Sequence, residues 1–260
     1  MSTENEITIL VAGDQFETVE VLKNALHNSV PRARIKELLS NWPMIPVGNV
    51  DEVHEAARDV DELIAALEDV QVCVSHTFPF IDRVFESSPA LQQVTIMRGG
   101  PVNVNIDSAT RHGVQVTYAP GRNATATAEH TVAMILAAVR QIPAHHNCLV
   151  TGNWERAAYR YDDVGMEIRG GAIGYGSVGS RVAVIMTAMG ANVFVHDPWA
   201  DPKALEPGIT LTDSLDDLMG SCRIVTVHAR VTDDSHHMIG AHELQKMPAG
   251  SVFVNCARGL

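Results

Sequence analysis

The sequence predicts an α/β protein with two doubly wound parallel sheets. Seven short β-branched runs alternate with helical patterns, as is typical of parallel sheets covered by helices. The 260 residues, of which 46% are hydrophobic, allow one large domain or two of ordinary size, and we predict two. The predicted strands are ITILVAG (7–13), VQVCVSH (70–76), QVTIM (93–97), VQVTYAP (114–120), NVFVHD (192–197), RIVTVHA (223–229) and SVFVNCA (251–257).

A helical pattern after residue 120 separates the two predicted domains, 1–120 and 121–260. Pro120-Gly121 ends a strand, and Asn123 or Thr125 can cap the helix that follows. The apolar residues of this helix recur at helical spacing, so we expect it to be buried between domains or subunits. A homodimer through the second domain is the assembly that this pattern favours.

Composition excludes several classes of partner. The formal net charge is −12 and no run of Lys or Arg occurs, whereas nucleic acids and anionic membranes require a concentrated basic face. The N-terminus lacks a basic segment followed by a long apolar core, so we expect a cytoplasmic protein. The four cysteines have no C-x-x-C spacing, which favours reduced core thiols over a metal site or a disulfide.

The segment GAIGYGSVGS contains the spacing G-x-G-x-x-G at Gly174, Gly176 and Gly179. A helical pattern and a predicted strand follow it, and Asp197 comes about twenty residues later, which together predict a dinucleotide-binding loop. The Asp197 carboxylate would accept hydrogen bonds from the adenosine ribose and repel a 2′-phosphate, which favours NAD. The alternative is a glycine-rich turn in an unrelated α/β protein. Because only Ala172-Ile173 is apolar before the loop, we expect a shortened strand there.

Two further polar residues lie at the ends of predicted strands, where ligands bind in doubly wound sheets. His228 either lies beside a ligand or bonds a neighbouring loop. Arg258 is placed to hold a carboxylate in a fork of two hydrogen bonds, with a surface salt bridge as the alternative. The histidine pairs 145–146 and 236–237 have no nearby carboxylate cluster, so we interpret them as solvated surface and predict no metal site.

These motifs resemble the D-isomer-specific 2-hydroxyacid dehydrogenase family, of which phosphoglycerate dehydrogenase is one member. The resemblance rests on IMRGGPVNVNID, GRNATATAEHT, GYGSVG, HDPWAD, IVTVHARVT and MPAGSVFVNCARG. It implies a flavodoxin-like substrate domain and a Rossmann NAD-binding domain. The residues that the resemblance places at the substrate are Arg98, Gly99, Gly100 and Arg258. Those that it places at NAD are Gly174, Tyr175, Gly176, Ser177, Val178, Gly179, Asp197, His228, Cys256, Ala257 and Arg258.

The resemblance implies hydride transfer between NAD and a 2-oxo or D-2-hydroxy acid, with Arg258 as the catalytic residue that polarises the C2 carbonyl. In the family, an acid/base glutamate and histidine lie downstream of the motif NCARG, so the NAD-binding domain is expected to be incomplete. His228 or His76 would have to replace that proton donor. Pro101 also departs from the family by removing a backbone donor. The alternative function is a catalytically silent NAD(H)-binding sensor or interaction module.

Overall fold

The chain forms two compact units, Met1–Arg122 and Asn123–Leu260. This architecture is given by a computed structural model, which describes residues 7–57, 59–154, 169–230, 232 and 235–257. Each unit contains a five-stranded parallel sheet with helices packed on both faces. The predicted fold class is confirmed, and all seven predicted strands are present within one or two residues of their expected ends.

The first unit contains a parallel sheet in the order β2-β1-β5-β6-β7 and an antiparallel hairpin, β3-β4. The elements in chain order are β1 (Thr8–Gly13), α1 (Val19–Ser29), β2 (Arg34–Leu39), β3 (Gly48–Val50), β4 (Val53–Ala56), α2 (Val60–Ala66), β5 (Val72–Ser75), α3 (Asp82–Ser87), β6 (Gln93–Ile96), α4 (Ile106–Arg111) and β7 (Gln115–Tyr118).

Alternation along the central strand β1 divides the core of the first unit between two faces. Leu10 and Ala12 belong to one core cluster, which also contains Leu63 of α2. Ile9 and Val11 belong to the cluster on the other face, with Leu22 of α1. Because side chains alternate along a strand and both sets are apolar, the strand is buried on both sides.

The second unit contains a parallel sheet in the order β10-β9-β8-β11-β12. The elements are α5 (Ala124–Val139), α6 (Ile142–Val150), β8 (Arg169–Ile173), α7 (Gly179–Ala188), β9 (Asn192–His196), a 3₁₀ turn (Pro202–Ala204), β10 (Ile209–Leu211), α8 (Leu215–Ser221), β11 (Ile224–Val227), α9 (Ala241–Lys246) and β12 (Val252–Asn255). Val182 and Met186 of α7 lie in the core cluster on one face, and Leu218 of α8 lies in the cluster on the other.

The expectation of a shortened strand before the glycine loop is wrong. β8 has five residues, pairs with β9 along its whole length and pairs with β11 over four positions. Gly171 serves packing, because a Cβ there would lie 2.7 Å from Leu218 Cδ2, whereas a Cβ on Gly170 would meet no described atom within 4 Å. A glycine at this position therefore lets α8 pack close to the sheet.

The predicted long helix begins where expected, at Ala124, with Asn123 at the N-cap position, although the Asn123 side chain makes no capping hydrogen bond. The helical region is divided at Gln141, whose φ of 51° is left-handed, and α6 follows. None of the helices in the described part of the chain has both the length and the apolar character that a membrane span requires.

Candidate functional site

The loop between β8 and α7 has the close packing that its glycines predict. Gly174 has a φ of +91°, a conformation that side chains other than glycine rarely adopt. A Cβ on Gly179 would lie 1.9 Å from the carbonyl oxygen of Gly174, so only glycine fits at that position. The two glycines bring the first turn of α7 directly against the end of β8.

The same loop is open on its outer side. A Cβ on Gly176 would meet no atom of the described residues within 4 Å, and Gly176 and Ser177 are exposed. The N-cap residue of α7 is Val178, whose side chain cannot accept a hydrogen bond from the first turn. Ser180 N–H donates to the Gly176 carbonyl at 3.0 Å, so the other N–H groups of that turn and the helix dipole are available to an anion beside Gly176.

Asp197 follows β9 and is joined to the glycine loop. One of its carboxylate oxygens accepts a hydrogen bond from the backbone N–H of Tyr175 at 2.7 Å, and the other accepts from the backbone N–H of Trp199 at 2.9 Å. The Tyr175 hydroxyl accepts from the backbone N–H of Glu206 at 3.3 Å. Each carboxylate oxygen can accept more than one hydrogen bond, so Asp197 keeps capacity for two ligand hydroxyls.

His228 follows β11 and lies against the glycine loop. Its backbone N–H donates to the carbonyl of Ile173 at 2.8 Å, and its Nε2 bonds with Thr226 Oγ1 at 3.1 Å. Burial lowers the pKa of His228 from 6.5 to about 4, because the charged imidazolium loses hydration there. The imidazole is therefore neutral at pH 7. Its one N–H can donate a hydrogen bond, but the ring lacks the second proton that an acid catalyst would transfer.

The last predicted site segment is described only in part. Asn255 Oδ1 accepts from the backbone N–H of Ala257 at 3.0 Å, which closes a turn after β12. Cys256 is partly buried in this turn. Arg258, the predicted catalytic residue, lies outside the described residues. A cavity of about 640 Å³ lies between α5 and β12 and includes Asn255 and Cys256 in its wall, but no residue of the glycine loop.

In the first unit, the predicted substrate segment follows β6. Gly99 and Gly100 are partly exposed, and a Cβ on either would meet no described atom within 4 Å. The guanidinium of Arg98, by contrast, is paired with the Glu55 carboxylate and donates to the Glu55 carbonyl at 2.8 Å. Arg98 thus joins β6 to β4, and its predicted contact with substrate stays a prediction.

Sequence reasoning missed a second polar group in this unit. Asp14, which directly follows β1, is fully buried and accepts a hydrogen bond from His76 Nδ1 at 2.6 Å. The available signal was its position, since ITILVAGD places a carboxylate immediately after a predicted buried strand. The sequence offers His76 only as a strand-end histidine that could replace the proton donor, and it does not indicate its partner Asp14.

Residues 132–260 match the model of the D-isomer specific 2-hydroxyacid dehydrogenase, NAD binding domain. The glyoxylate reductase of Aeropyrum pernix is 33% identical over 257 residues, which cover 94% of this chain and 71% of that protein. The chain belongs to the D-isomer-specific 2-hydroxyacid dehydrogenase family. D-3-phosphoglycerate dehydrogenase of Mycobacterium tuberculosis is 35% identical over 237 residues, but these cover 89% of this chain and only 44% of that protein.

Solved structures agree with the fold. The glyoxylate reductase from Paecilomyes thermophila matches with a TM-score of 0.77 at 22% identity, covering 98% of this chain and 74% of that one. D-Lactate dehydrogenase from Aquifex aeolicus, solved with NAD and lactic acid, matches with a TM-score of 0.73 at 22% identity, covering 96% of this chain and 69% of that one. The sequence matches confirm the predicted family, and these structures confirm the predicted fold with its Rossmann domain.

NAD is the cofactor of the family's second domain, and the residues described here fit it. The fit rests on the open space beside Gly176, the uncapped start of α7 and the remaining hydrogen-bonding capacity of Asp197. A dinucleotide needs these three features for its pyrophosphate and its ribose. The roles of the individual residues stay predictions.

Proposed function

We propose that this member of the family is an NAD-dependent oxidoreductase that interconverts 2-oxo acids and D-2-hydroxy acids. The observation that supports this most directly is the loop from Gly174 to Gly179, whose packing leaves a bare helix N-terminus and an open backbone surface. When bound, NAD would supply or accept the hydride at C2 of the acid, and the C2 oxygen would take its proton from solvent water or return it there.

The residues of the second unit would bind and orient the cofactor. The N–H groups of Ser177 and of the first turn of α7, apart from that of Ser180, would donate to the pyrophosphate. Asp197 would accept from the ribose hydroxyls while its bond from the Tyr175 N–H holds the carboxylate against the loop. His228, which is neutral at pH 7, would act as a hydrogen-bonding neighbour of the nicotinamide and not as a proton donor to substrate.

In the first unit, substrate binding would use the backbone N–H groups of Gly99 and Gly100. For Arg258 of the second unit, a role at the substrate carboxylate is proposed from the family resemblance alone. An arginine fork matches a carboxylate with two parallel hydrogen bonds and can polarise a neighbouring carbonyl oxygen. Gly99 and Gly100 leave their backbone uncovered by any Cβ, so a carboxylate could approach closely. Pro101 has no N–H and would contribute no donor.

An assay of the chain with NADH and a panel of 2-oxo acids tests the proposal, with NADH binding measured separately by fluorescence titration. We expect binding of NADH and oxidation of NADH that depends on the added acid. Turnover without saturable NADH binding, or activity in a Gly176→Val variant equal to that of the wild type, would contradict the proposed cofactor site.

The alternative, an NAD(H)-binding sensor that performs no turnover, is favoured by one observation. The strand-end imidazole of His228 has a pKa of about 4, so it is a poor proton donor at neutral pH. A sensor would bind NADH with an affinity that no 2-oxo acid changes and would oxidise none of it. The same assay therefore separates the two functions.

We also propose a cytoplasmic homodimer formed through the second unit. Its support is the set of exposed apolar side chains on α5 and α6, which are Met134, Ile142, Leu149 and Val150. Apolar surface concentrated on adjacent helices is typical of subunit interfaces. Sedimentation equilibrium would test it, since a monomer at all concentrations, or an unchanged dimer in Ile142→Glu, would exclude this interface.

A further inference from the structure

The hairpin β3-β4 is joined to both ends of the predicted substrate segment, residues 98–102. The His54 N–H donates to the carbonyl of Val102 at 3.0 Å. The Arg98 guanidinium donates to the carbonyl of Glu55 at 2.8 Å and pairs with the Glu55 carboxylate. Two consecutive residues of β4 therefore hold the segment, and its two glycines lie between the points of attachment.

A β-bulge places Glu55 in this position. Val50 pairs with Val53 and Gly48 pairs with Ala56, so that two residues of β4 lie opposite one residue of β3. Glu55 is the second of those two residues and has a φ of 50°, a left-handed conformation that residues other than glycine rarely adopt. Bulges turn side chains in new directions and are frequent next to functional sites. In this conformation the carbonyl and the carboxylate of Glu55 both contact the same guanidinium.

The turn of the hairpin is anchored separately. The Glu52 carboxylate accepts hydrogen bonds from the Asp82 N–H at 2.7 Å and from Asn105 Nδ2 at 2.8 Å. Asp82 is the first residue of α3, and Asn105 is the N-cap residue of α4. Because these bonds do not involve Glu55, the hairpin stays attached when the Glu55 carboxylate is changed.

Between the two points of attachment, the backbone of the substrate segment is open. The N–H groups of Gly99 and Gly100 have no hydrogen-bond partner among the described residues, and Pro101 has no N–H. Two N–H donors suit one carboxylate. The neighbouring Arg98 has the charge to bind a second one, but the Glu55 carboxylate occupies its guanidinium. The Arg98 side chain is only 17% exposed, so solvent screens this ion pair less than it screens a surface pair.

We propose that Glu55 determines substrate specificity, because its ion pair with Arg98 selects 2-oxo acids that carry one negative charge over those that carry two. A second anionic group would need the guanidinium that Glu55 occupies, and it would meet the Glu55 carboxylate as a like charge. An acid with one carboxylate requires no contact with either side chain. The proposal rests on the function proposed above, since it takes Gly99 and Gly100 as the binding site of the substrate carboxylate.

The test compares pyruvate, which has one negative charge, with 2-oxoglutarate, which has two. Both are titrated into the full chain labelled with ¹⁵N, in the presence of NAD⁺, which cannot reduce a 2-oxo acid, so that affinity is measured without turnover. The amide signals of Gly99 and Gly100 report binding, and Gly99→Ala and Gly100→Ala assign them. We expect the wild type to bind pyruvate at least about tenfold more tightly than 2-oxoglutarate.

Glu55→Gln keeps the shape of the side chain and an oxygen that can accept from Arg98, but it removes the negative charge. It should tighten 2-oxoglutarate binding at least about tenfold and change pyruvate binding less than about threefold. The double variant Glu55→Gln/Arg98→Met lacks both charges, so the gain for 2-oxoglutarate should disappear. Glu52→Gln is the matched control in the same hairpin, and it should leave both affinities within about twofold of the wild type.

The proposal is overturned if neither acid shifts the two glycine amides. It is also overturned if Glu55→Gln, folded by circular dichroism, binds 2-oxoglutarate no more tightly than the wild type does, or if the double variant retains the gain. Failure of the proposed function has a different signature, which is the lack of NADH oxidation when pyruvate is added to the same samples. The ratio of the two affinities does not depend on that reaction.

Discussion

Replacement of Gly179 by alanine should damage the second unit more than any comparable change in the glycine loop. The added Cβ would lie 1.9 Å from the Gly174 carbonyl oxygen and 3.0 Å from its carbonyl carbon. Backbone atoms cannot rotate away as a flexible side chain can. The start of α7 would have to move away from the end of β8 to remove the overlap.

The surrounding hydrogen bonds determine how much this movement costs. Gly174 N–H donates to the His196 carbonyl at 2.9 Å, and His228 N–H donates to the Ile173 carbonyl at 2.8 Å, so neighbouring strands hold the loop on both sides. Overpacking in a rigid environment costs about 1–3 kcal/mol, and we expect about 3 kcal/mol here because the obstacle is backbone. For a unit of this size the melting temperature should fall by about 10 °C.

Gly176→Ala is the matched control, since its Cβ would meet no described atom within 4 Å. It should unfold in urea, followed by circular dichroism, within about 0.5 kcal/mol of the wild type. Its NADH affinity should nevertheless fall about tenfold, because the methyl group projects into the space assigned to the pyrophosphate. If Gly179→Ala were as stable as Gly176→Ala, the packing argument for the loop would be wrong.

Three further outcomes are expected. The wild type should bind NADH more favourably than NADPH by about 2–4 kcal/mol of binding free energy. Fluorescence titration of Asp197→Asn should show that most of this difference is lost. In the unfolded chain the His228 imidazole is protonated below about pH 6.5, whereas in the folded chain burial delays protonation to about pH 4. The free energy of unfolding of the second unit should therefore fall by up to about 3 kcal/mol as the pH falls from 6.5, and His228→Gln should flatten the dependence of the urea midpoint on pH. Arg258→Lys should lower kcat/KM for 2-oxo acids about a hundredfold, while NADH affinity is retained; activity within threefold would place the carboxylate elsewhere.

The fold was predictable wherever β-branched residues are concentrated in a short run. All seven predicted runs form strands, including the edge strand β7. β2, with the sequence RIKELL, was missed because it is an edge strand that carries three charged residues, a composition that protects sheet edges from association. β8 was underestimated because RGGAI is poor in β-branched residues. Gly171 is explained by Leu218 of α8, a residue that lies nearly fifty positions away in sequence.

Only those parts of the site that lie within one short stretch of sequence could be predicted. The glycine loop and Asp197 belong to one β-α-β unit, so a single stretch of sequence contains them, and the structure joins them by the bond from the Tyr175 N–H. Asp14 and His76 are 62 residues apart, and they meet only because β5 pairs with β1 after the chain has formed β2 on the other side. Strand order therefore carries the information that residue spacing lacks. In a doubly wound sheet, the strand order reverses between two neighbouring central strands. The polar residues that directly follow these two strands are the first candidates for a joint site, and in the first unit they are Asp14 and His76.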